Sequence, residues 1–293
     1  MRILHLDSGR EMRGGQWQAL KLHAGLLKAG HESMLLAPED APLLTAAAEM
    51  GVPAGVVRPL RLGVFSRGFD VVHAHDAHSH TYGAMFARAP LVVARRVAFP
   101  IGHSLASQWK YRQADLFIAI SRYVALELRQ AGVEEQRIVT VGDGVTVPEK
   151  AASGSAIVVP ASNDPEKCVD IALEGARLAK VEVVVSENLD ADLPRARAMV
   201  YMTRSEGLGS GILLGMAHGV TVIASNVGGI PELITDGVNG ILVSNDAESV
   251  AGAFRRINPD LGRAARRMVI ESFTEERMVR KTIEAYRRVT SAA

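Results

Sequence analysis

The sequence predicts an α/β protein of two domains, each a parallel β-sheet with helices on both faces. Three observations predict this. Short apolar runs of strand length alternate with longer stretches of helical periodicity, the alternation halts at a loose stretch near the middle and restarts, and 293 residues suffice for two such units to bury a core each.

Taken in order, Ile3 to Leu6 reads as a buried parallel strand, followed by a polar loop with Gly14-Gly15 and a periodic stretch through Leu20, Leu22, Leu26 and Leu27. Gly30-His31 ends that helix, Ser33 to Ala37 gives the next strand, and Leu43 to Met50 a helix closed by Gly51. Val71-Val72-His73 ends another strand, Leu91 to Ala94 is the next, and Leu116 to Ile120 follows, with Ser121 placed to cap a helix over 122–130. Alternating strands and helices of this kind make a parallel sheet covered on both faces. Pro148 to Ser155, rich in Ala, Ser, Gly and charge, is the expected linker. Beyond it come strands at 156–159, 181–185, 199–202, 221–224 and 240–243, alternating with helices near 168–179, 211–218 and 246–257. A charged amphipathic helix at 275–290 offers Met278, Ile283 and Tyr286 for packing.

Hydrophobic residues make up 48% and charged residues 22%, so a fully folded chain is expected. Lys plus Arg (33) against Asp plus Glu (32) gives no charge argument for a nucleic-acid partner. Residues 1 to 148 hold 16 basic and 13 acidic side chains, a slight positive tilt compatible with an anionic lipid-linked acceptor. Cys168 is the single cysteine, which excludes an internal disulfide and points to a reducing, cytoplasmic compartment. No segment has the length of a membrane-spanning helix, so any membrane contact is expected to be peripheral, at the inner face.

The strongest constellation is Ser205-Glu206-Gly207-Leu208-Gly209-Ser210-Gly211, between an expected strand and helix. A glycine loop entering a helix presents amides to phosphate, and Glu206 beside it can accept hydrogen bonds from sugar hydroxyls. The alternative is a tight turn whose glycines only permit positive φ. His73-Ala74-His75-Asp76-Ala77-His78-Ser79-His80 has the alternation of a metal cluster on one strand face, close to the pattern of binuclear hydrolases, but with its aspartate one position early. A partly exposed polar strand end is the plainer reading. Gly14-Gly15-Gln16 lets the first loop approach a ligand closely, or simply turns into a helix. Arg95 and Arg96, at the carboxyl end of a strand, suit an anionic acceptor or product phosphate, with His103, Lys110, Tyr111 and Arg112 as weaker neighbours. Asp190-Ala191-Asp192 mimics a metal-binding pair but reads as a solvated turn near Pro194, so no metal is expected. Gly142-Asp143-Gly144-Val145 reads as a hinge.

From Glu206 to Val243, through Met216 to Ser225 and Val227-Gly228-Gly229-Ile230-Pro231-Glu232, the chain resembles the donor-site signature of the retaining glycosyltransferases of family 4. Gly14-Gly15-Gln16, Gly30-His31-Glu32, Val72-His73-Ala74-His75 and Ile120-Ser121 fall in that family's order, and Phe273-Thr274 through Tyr286 resembles its terminal helix. The resemblance implies the GT-B fold, two Rossmann-like domains with parallel sheets facing across a cleft: an acceptor-side domain at 1–148, a nucleotide-sugar domain at 149–274, and a terminal helix at 275–293 that packs back on the first. It further implies a nucleoside-diphosphate sugar as donor, no cofactor, a glycan or lipid-linked acceptor, and retention of anomeric configuration, in cell-envelope polysaccharide synthesis. Residue by residue, Glu206 matches the first glutamate near the donor sugar, Gly207 to Gly209 the phosphate loop with Leu208 and Ser210 alongside, and Lys167 the cation that neutralises the departing diphosphate. His75 becomes a wall residue near donor and acceptor. Gly14 and Gly15 join the donor side, and Gln16, Asp76, Arg95 and Arg96 the acceptor side.

Three positions depart from the pattern. Leu214 stands where a second glutamate would hold the ribose, Ser162 stands where an arginine would join Lys167, and the span from Lys180 to Ala198 is short for the family. Each lost charge-assisted contact forfeits about 1.5–3 kcal/mol. These departures favour, as an alternative, a chain of the same fold with lost or reduced catalysis acting as a partner subunit. Epimerisation of a nucleotide sugar and metal-dependent hydrolysis are the other chemistries considered.

Overall fold

In the computed structural model, which describes residues 1–102 and 104–291, the apolar runs form two sheets in which every strand pair is parallel. The chain divides into two units, Met1–Asp143 with Glu275–Ala293, and Gly144–Thr274.

The first unit carries seven strands: β1 (Arg2–Leu6), β2 (Glu32–Ala37), β3 (Ala54–Val56), β4 (Val71–Ala74), β5 (Leu91–Arg95), β6 (Leu116–Ala119) and β7 (Ile138–Thr140). Their spatial order is β3-β2-β1-β4-β5-β6-β7. Chain direction across the sheet reverses between β1 and β4, and such a switch point opens a crevice at the carboxyl ends of the two strands. Register sets His5 beside His73 across that boundary. Helix Gly14–Lys28 and the terminal helix Glu275–Thr290 pack together, and a Cβ on Gly25 would lie 2.4 Å from Val279, so only glycine admits this approach. Met278 and Tyr286 are buried in the core they share with Ile3, Leu22 and Val92, and Ile283 is partly buried against it.

The second unit carries β8 (Ala156–Pro160), β9 (Val184–Ser186), β10 (Ala196–Tyr201), β11 (Thr221–Ser225) and β12 (Ile241–Val243), ordered β12-β11-β10-β8-β9. Its switch point falls between β8 and β10. The stretch expected to be a loose linker is held to this unit. Ala152 N–H donates to the His218 carbonyl at 2.7 Å, and a Cβ on Gly154 would collide with the Arg195 backbone at 1.8 Å.

Several elements differ from expectation. All four edge strands, β3, β7, β9 and β12, are three residues long, and short edges limit stray pairing. β12 was expected at 240–243 and lies at 241–243, but β3 and β7 were not picked out, and β9 lies at 184–186 rather than 181–185, with Val184 and Val185 exposed. Helix Pro259–Ser272, with Asn258 as its cap, was not signalled, because its buried positions Leu261, Gly262, Ala265 and Val269 are scattered among many charges. Among the described residues no helix is long and apolar enough to cross a membrane.

Candidate active site

In the second unit, the turn after β8 and the loop after β10 meet. Pro165–Lys167 forms one turn of 3₁₀ helix, and Cys168 then adopts a left-handed φ of 42° to start helix Val169–Ala179. A side-chain-bearing residue there costs about 1 kcal/mol, and the turn is fixed from outside. The Glu166 carbonyl accepts from Arg204 N at 2.8 Å and from Thr203 Oγ1 at 3.0 Å. Lys167 is thereby aimed at Glu206. Its Nζ lies 2.8 Å from Glu206 Oε2 and 3.2 Å from Tyr201 Oη, and Tyr201 Oη donates to the same carboxylate oxygen at 2.8 Å. Burial, then the Glu206 charge, pushes the Tyr201 phenol well above its ordinary range, so it remains a donor.

The Glu206 backbone is fixed as firmly as its side chain. Gly229 N donates to its carbonyl at 3.0 Å, and a Cβ on Gly228, whose φ is 55°, would stand 2.1 Å from that oxygen. This gives the Val227-Gly228-Gly229 stretch a physical role. Gly207 N donates to Glu206 Oε1 at 3.2 Å. Gly209, at φ 105°, opens helix Ser210–His218, which no side chain caps, so its first amides suit an anion. Leu208 is buried beneath the loop, and Leu214 sits half-buried on the helix. Ser162 and Lys167 line one cavity of about 160 Å³ with Tyr201, while Ser162 Oγ accepts from Asp164 N at 3.1 Å.

In the first unit, the candidate residues gather at the switch point of β1 and β4. β4 ends at Ala74, and Asp76 caps helix Ala77–Phe86, so the histidine run does not lie on one strand. His78 is exposed on the helix, and His80 Nε2 is 3.1 Å from the Lys110 carbonyl. Burial, then Lys110, lowers the His80 pKa to about 3. The alternating-histidine metal pattern is therefore broken by a strand-to-helix turn. A different set forms instead: one nitrogen each of His5, His73 and His75 lies within 4.8 Å of the others, an arrangement that could hold a metal ion.

Hydrogen bonding orders these rings. Asp143 Oδ1 is 3.3 Å from Arg96 Nε, and Arg96 Nη1 is 3.3 Å from His75 Nδ1. A guanidinium only donates, so His75 Nδ1 accepts and its proton sits on Nε2. That Nε2 is 2.8 Å from His5 Nδ1, which must then accept, leaving the His5 proton on Nε2. His73 Nδ1 is 2.7 Å from Tyr286 Oη, and the Nε2 atoms of His5 and His73 have no partner among the described residues. Burial is the largest cause holding all three imidazoles well below 6.5, with neighbouring histidines adding to it at His5 and His75 and Arg96 at all three, so the cluster is neutral.

Helix Gly14–Lys28 begins at Gly14 itself, so the glycine pair is its first turn. A Cβ on Gly15 would be 3.9 Å from Arg96 Cδ, which places the pair beside the arginine. Gln16 Nε2 donates to both Asp7 oxygens, at 3.1 and 3.2 Å. Asp76 accepts from His78 N, Ser79 N and Ser8 N at 2.8, 3.0 and 2.6 Å and from Ser8 Oγ, so its carboxylate binds the loop after β1 to the helix. Arg95 turns away and donates to the Phe99 carbonyl at 2.5 Å. Lys110 Nζ reaches the Ala77 carbonyl at 3.3 Å, and burial, then Arg95, lowers its pKa. His103 lies outside the described residues. His5 and Tyr201 were not singled out, Tyr286 was read only as a packing residue and Asp143 only as part of a hinge, because each reaches the site through the fold.

Two family models match the chain: "Glycosyltransferase Family 4" over residues 12–147 and "Glycosyl transferases group 1" over residues 134–260. An alpha-maltose-1-phosphate synthase of Mycolicibacterium smegmatis is 32% identical over 123 residues, 38% of this chain and 32% of that protein. The uncharacterized glycosyltransferase MJ1178 of Methanocaldococcus jannaschii is 25% identical over 223 residues, 62% of this chain and 63% of that protein. The chain thus spans about a third of the first curated relative and under two thirds of the second. Among solved structures, Anabaena Alr3699/HepE in complex with UDP and glucose superposes with a TM-score of 0.82 at 16% identity, covering 97% of this chain and 99% of that one. Sucrose-phosphate synthase from Thermosynechococcus elongatus gives 0.77 at 17% identity, covering both chains fully (100% of each). At these identities the likeness is one of fold, and this chain has the fold of those glycosyltransferases.

Proposed function

The chain belongs to the glycosyltransferases of group 1 and family 4, and from that membership we propose that it moves a sugar from a nucleoside-diphosphate donor to a glycan or glycoconjugate of the cell envelope, with retention and without a metal. The observation that carries the reading is the Lys167–Glu206 pair at 2.8 Å, set beside a glycine loop and an uncapped helix start at a switch point. A departing diphosphate gains charge as its bond to the sugar breaks, and a cation already fixed by Glu206 and Tyr201 meets that charge without reorganising. Glu206 keeps acceptor capacity for a sugar hydroxyl on Oε1, which among the described residues accepts only from the Gly207 amide, while Oε2 already accepts from Lys167 and Tyr201. A fold neighbour described in complex with UDP and glucose supports the donor class. In the first unit, neutral His75 with Arg96 behind it suits a wall that meets a sugar without adding charge.

Calorimetric titration with a panel of nucleoside diphosphates and their sugars tests the reading. One nucleotide is expected to bind saturably, and Lys167→Ala to lower turnover about 10²–10³-fold, the scale of losing a fixed electrostatic contact. Activity is expected to survive chelators. Loss on chelation with recovery on adding zinc would transfer the chemistry to His5, His73 and His75. No binding across the panel by folded protein would favour the second reading, a partner subunit without catalysis, which Leu214 and Ser162 support.

A further inference from the structure

Right-handed crossovers that run toward β3 and those that run toward β7 lie on opposite faces of the first sheet. Helix Gly14–Lys28 takes one face. On the other, helices Pro59–Phe65, Ala77–Phe86 and Leu105–Gln113 lie in a row, each touching the next. The outer helices turn apolar side chains to solvent at helical spacing. Leu60 is 87% and Val64 76% exposed, one turn apart, with Phe65 beside them, while Leu62 on the reverse side is buried. Leu105 is 85% exposed, and Trp109 follows one turn later. Met85 is exposed on the middle helix. Folding leaves these side chains in water, where each large apolar group is a standing cost.

Charge is as one-sided as hydropathy. Residues 58–112 hold eight Lys or Arg and two Asp. Both aspartates are engaged locally, Asp70 with Arg2 N at 2.7 Å and Asp76 as the helix cap. Arg58, Arg61, Arg67, Arg88 and Arg112 are exposed, and none forms an ion pair among the described residues. The apolar tips are spread over separate helices and flanked by guanidinium groups. A protein partner is better met by one continuous dry patch. Separated tips rimmed by cations suit a bilayer boundary, where apolar groups enter between acyl chains while arginines stay at the depth of lipid phosphates.

We propose that this helix row is a docking surface for an anionic lipid bilayer, with Leu60, Val64, Phe65, Leu105 and Trp109 entering the acyl boundary and the flanking arginines meeting lipid phosphates. The inference rests on exposure and charge in the first unit and needs no sugar transfer, so it stands or falls separately from the proposed activity. Docked this way, the chain meets a lipid-linked acceptor in two dimensions.

Co-sedimentation of the full chain with vesicles tests the proposal. Binding to vesicles rich in phosphatidylglycerol is expected to be strong, to weaken as salt is raised, and to be at least about tenfold weaker on pure phosphatidylcholine. Arg58→Gln/Arg61→Gln/Arg67→Gln should weaken binding about a hundredfold, at roughly fivefold per arginine. Leu60→Gln/Val64→Gln/Trp109→Gln should weaken it about tenfold or more. Lys28→Gln/Arg280→Gln, on the opposite face, should leave it unchanged, with circular dichroism confirming that each variant is folded. Equal binding to both lipids, no binding to either, indifference to the first two variants, or a chain dimer abolished by them would each overturn the proposal.

Discussion

The two candidate sites occupy equivalent places, the switch points of two parallel sheets, and are built on opposite electrostatic terms. The first unit buries three histidines and keeps them neutral: His5, His73 and His75 are uncharged rings, ordered by one arginine whose charge Asp143 balances. The second keeps its charges and leaves them partly wet, with Lys167 and Glu206 paired at 33% and 16% side-chain exposure. A buried neutral network has high stakes, since any group that gains charge or loses its partner has no solvent to turn to. A half-exposed ion pair contributes little to stability and can exchange partners with a charged ligand. The first site thus rests on buried neutral groups and the second on a solvent-touched ion pair, which on the proposed function is the one that meets a diphosphate.

Acid is the largest expected way to separate them. A histidine whose folded pKa is depressed binds fewer protons than its unfolded counterpart, so its stabilisation is present above about pH 6.5 and is lost as pH falls. Five buried histidines of the first unit behave this way, His23 lowered to about 4 and His80 to about 3 by burial before other causes. Each removes about 1.4 kcal/mol per pH unit between 6.5 and its folded pKa. The second unit has only His218, lowered by burial. Both tryptophans, Trp17 and Trp109, are in the first unit, so their fluorescence isolates it. Its denaturation midpoint should fall steeply from pH 7 to pH 5, ahead of the circular dichroism of the whole chain. A midpoint that does not move over that range would show that the cluster is not held neutral.

Backbone strain in the second unit should have the next largest effect. Gly228→Ala forces a Cβ to within 2.1 Å of the Glu206 carbonyl at a φ of 55°, a cost of about 2–3 kcal/mol for that conformation alone. Its unfolding should appear in circular dichroism with the tryptophan transition unchanged, and donor affinity should fall with it. An unchanged donor affinity would separate the glycine from the Glu206 loop.

The central strands and the glycine loop after β10 were legible in sequence because their information is local. Leu116 to Ala119 is apolar at every position and Ile3 to Leu6 at every position but His5, since both sheet faces are covered, and Glu206 to Gly211 declares itself by spacing. Edge strands of three residues carry a weaker signal: β12 was legible at 240–243, while β3 and β7 were not picked out. The histidine cluster was half legible: His73 and His75 stand in one run, but His5 joins them only through strand register and Tyr286 only through the packing of the terminal helix. Tyr201 looked like one more strand residue, and its hydroxyl becomes informative only once the turn at Lys167 is in place.

A pair of hydroxyl deletions gives the smallest and sharpest comparison. Tyr286→Phe removes the one partner of His73 Nδ1 in a ring whose Nε2 already lacks one, and nothing nearby is wet, so the full penalty of an unsatisfied buried group applies, about 1–3 kcal/mol. Tyr201→Phe removes one of three donors to Glu206, which keeps Lys167 on one oxygen and the Gly207 amide on the other, so about 0.5–1.5 kcal/mol is expected. Urea denaturation of both variants reads the stabilities, and nucleotide titration reads the site. Tyr286→Phe should lower stability more while leaving donor affinity intact, and Tyr201→Phe should lower stability less while weakening the donor severalfold, because Lys167 and Glu206 lose a shared anchor. The reverse ranking in stability would mean that the Lys167–Glu206 pair, and not the histidine cluster, is the unforgiving element of the fold.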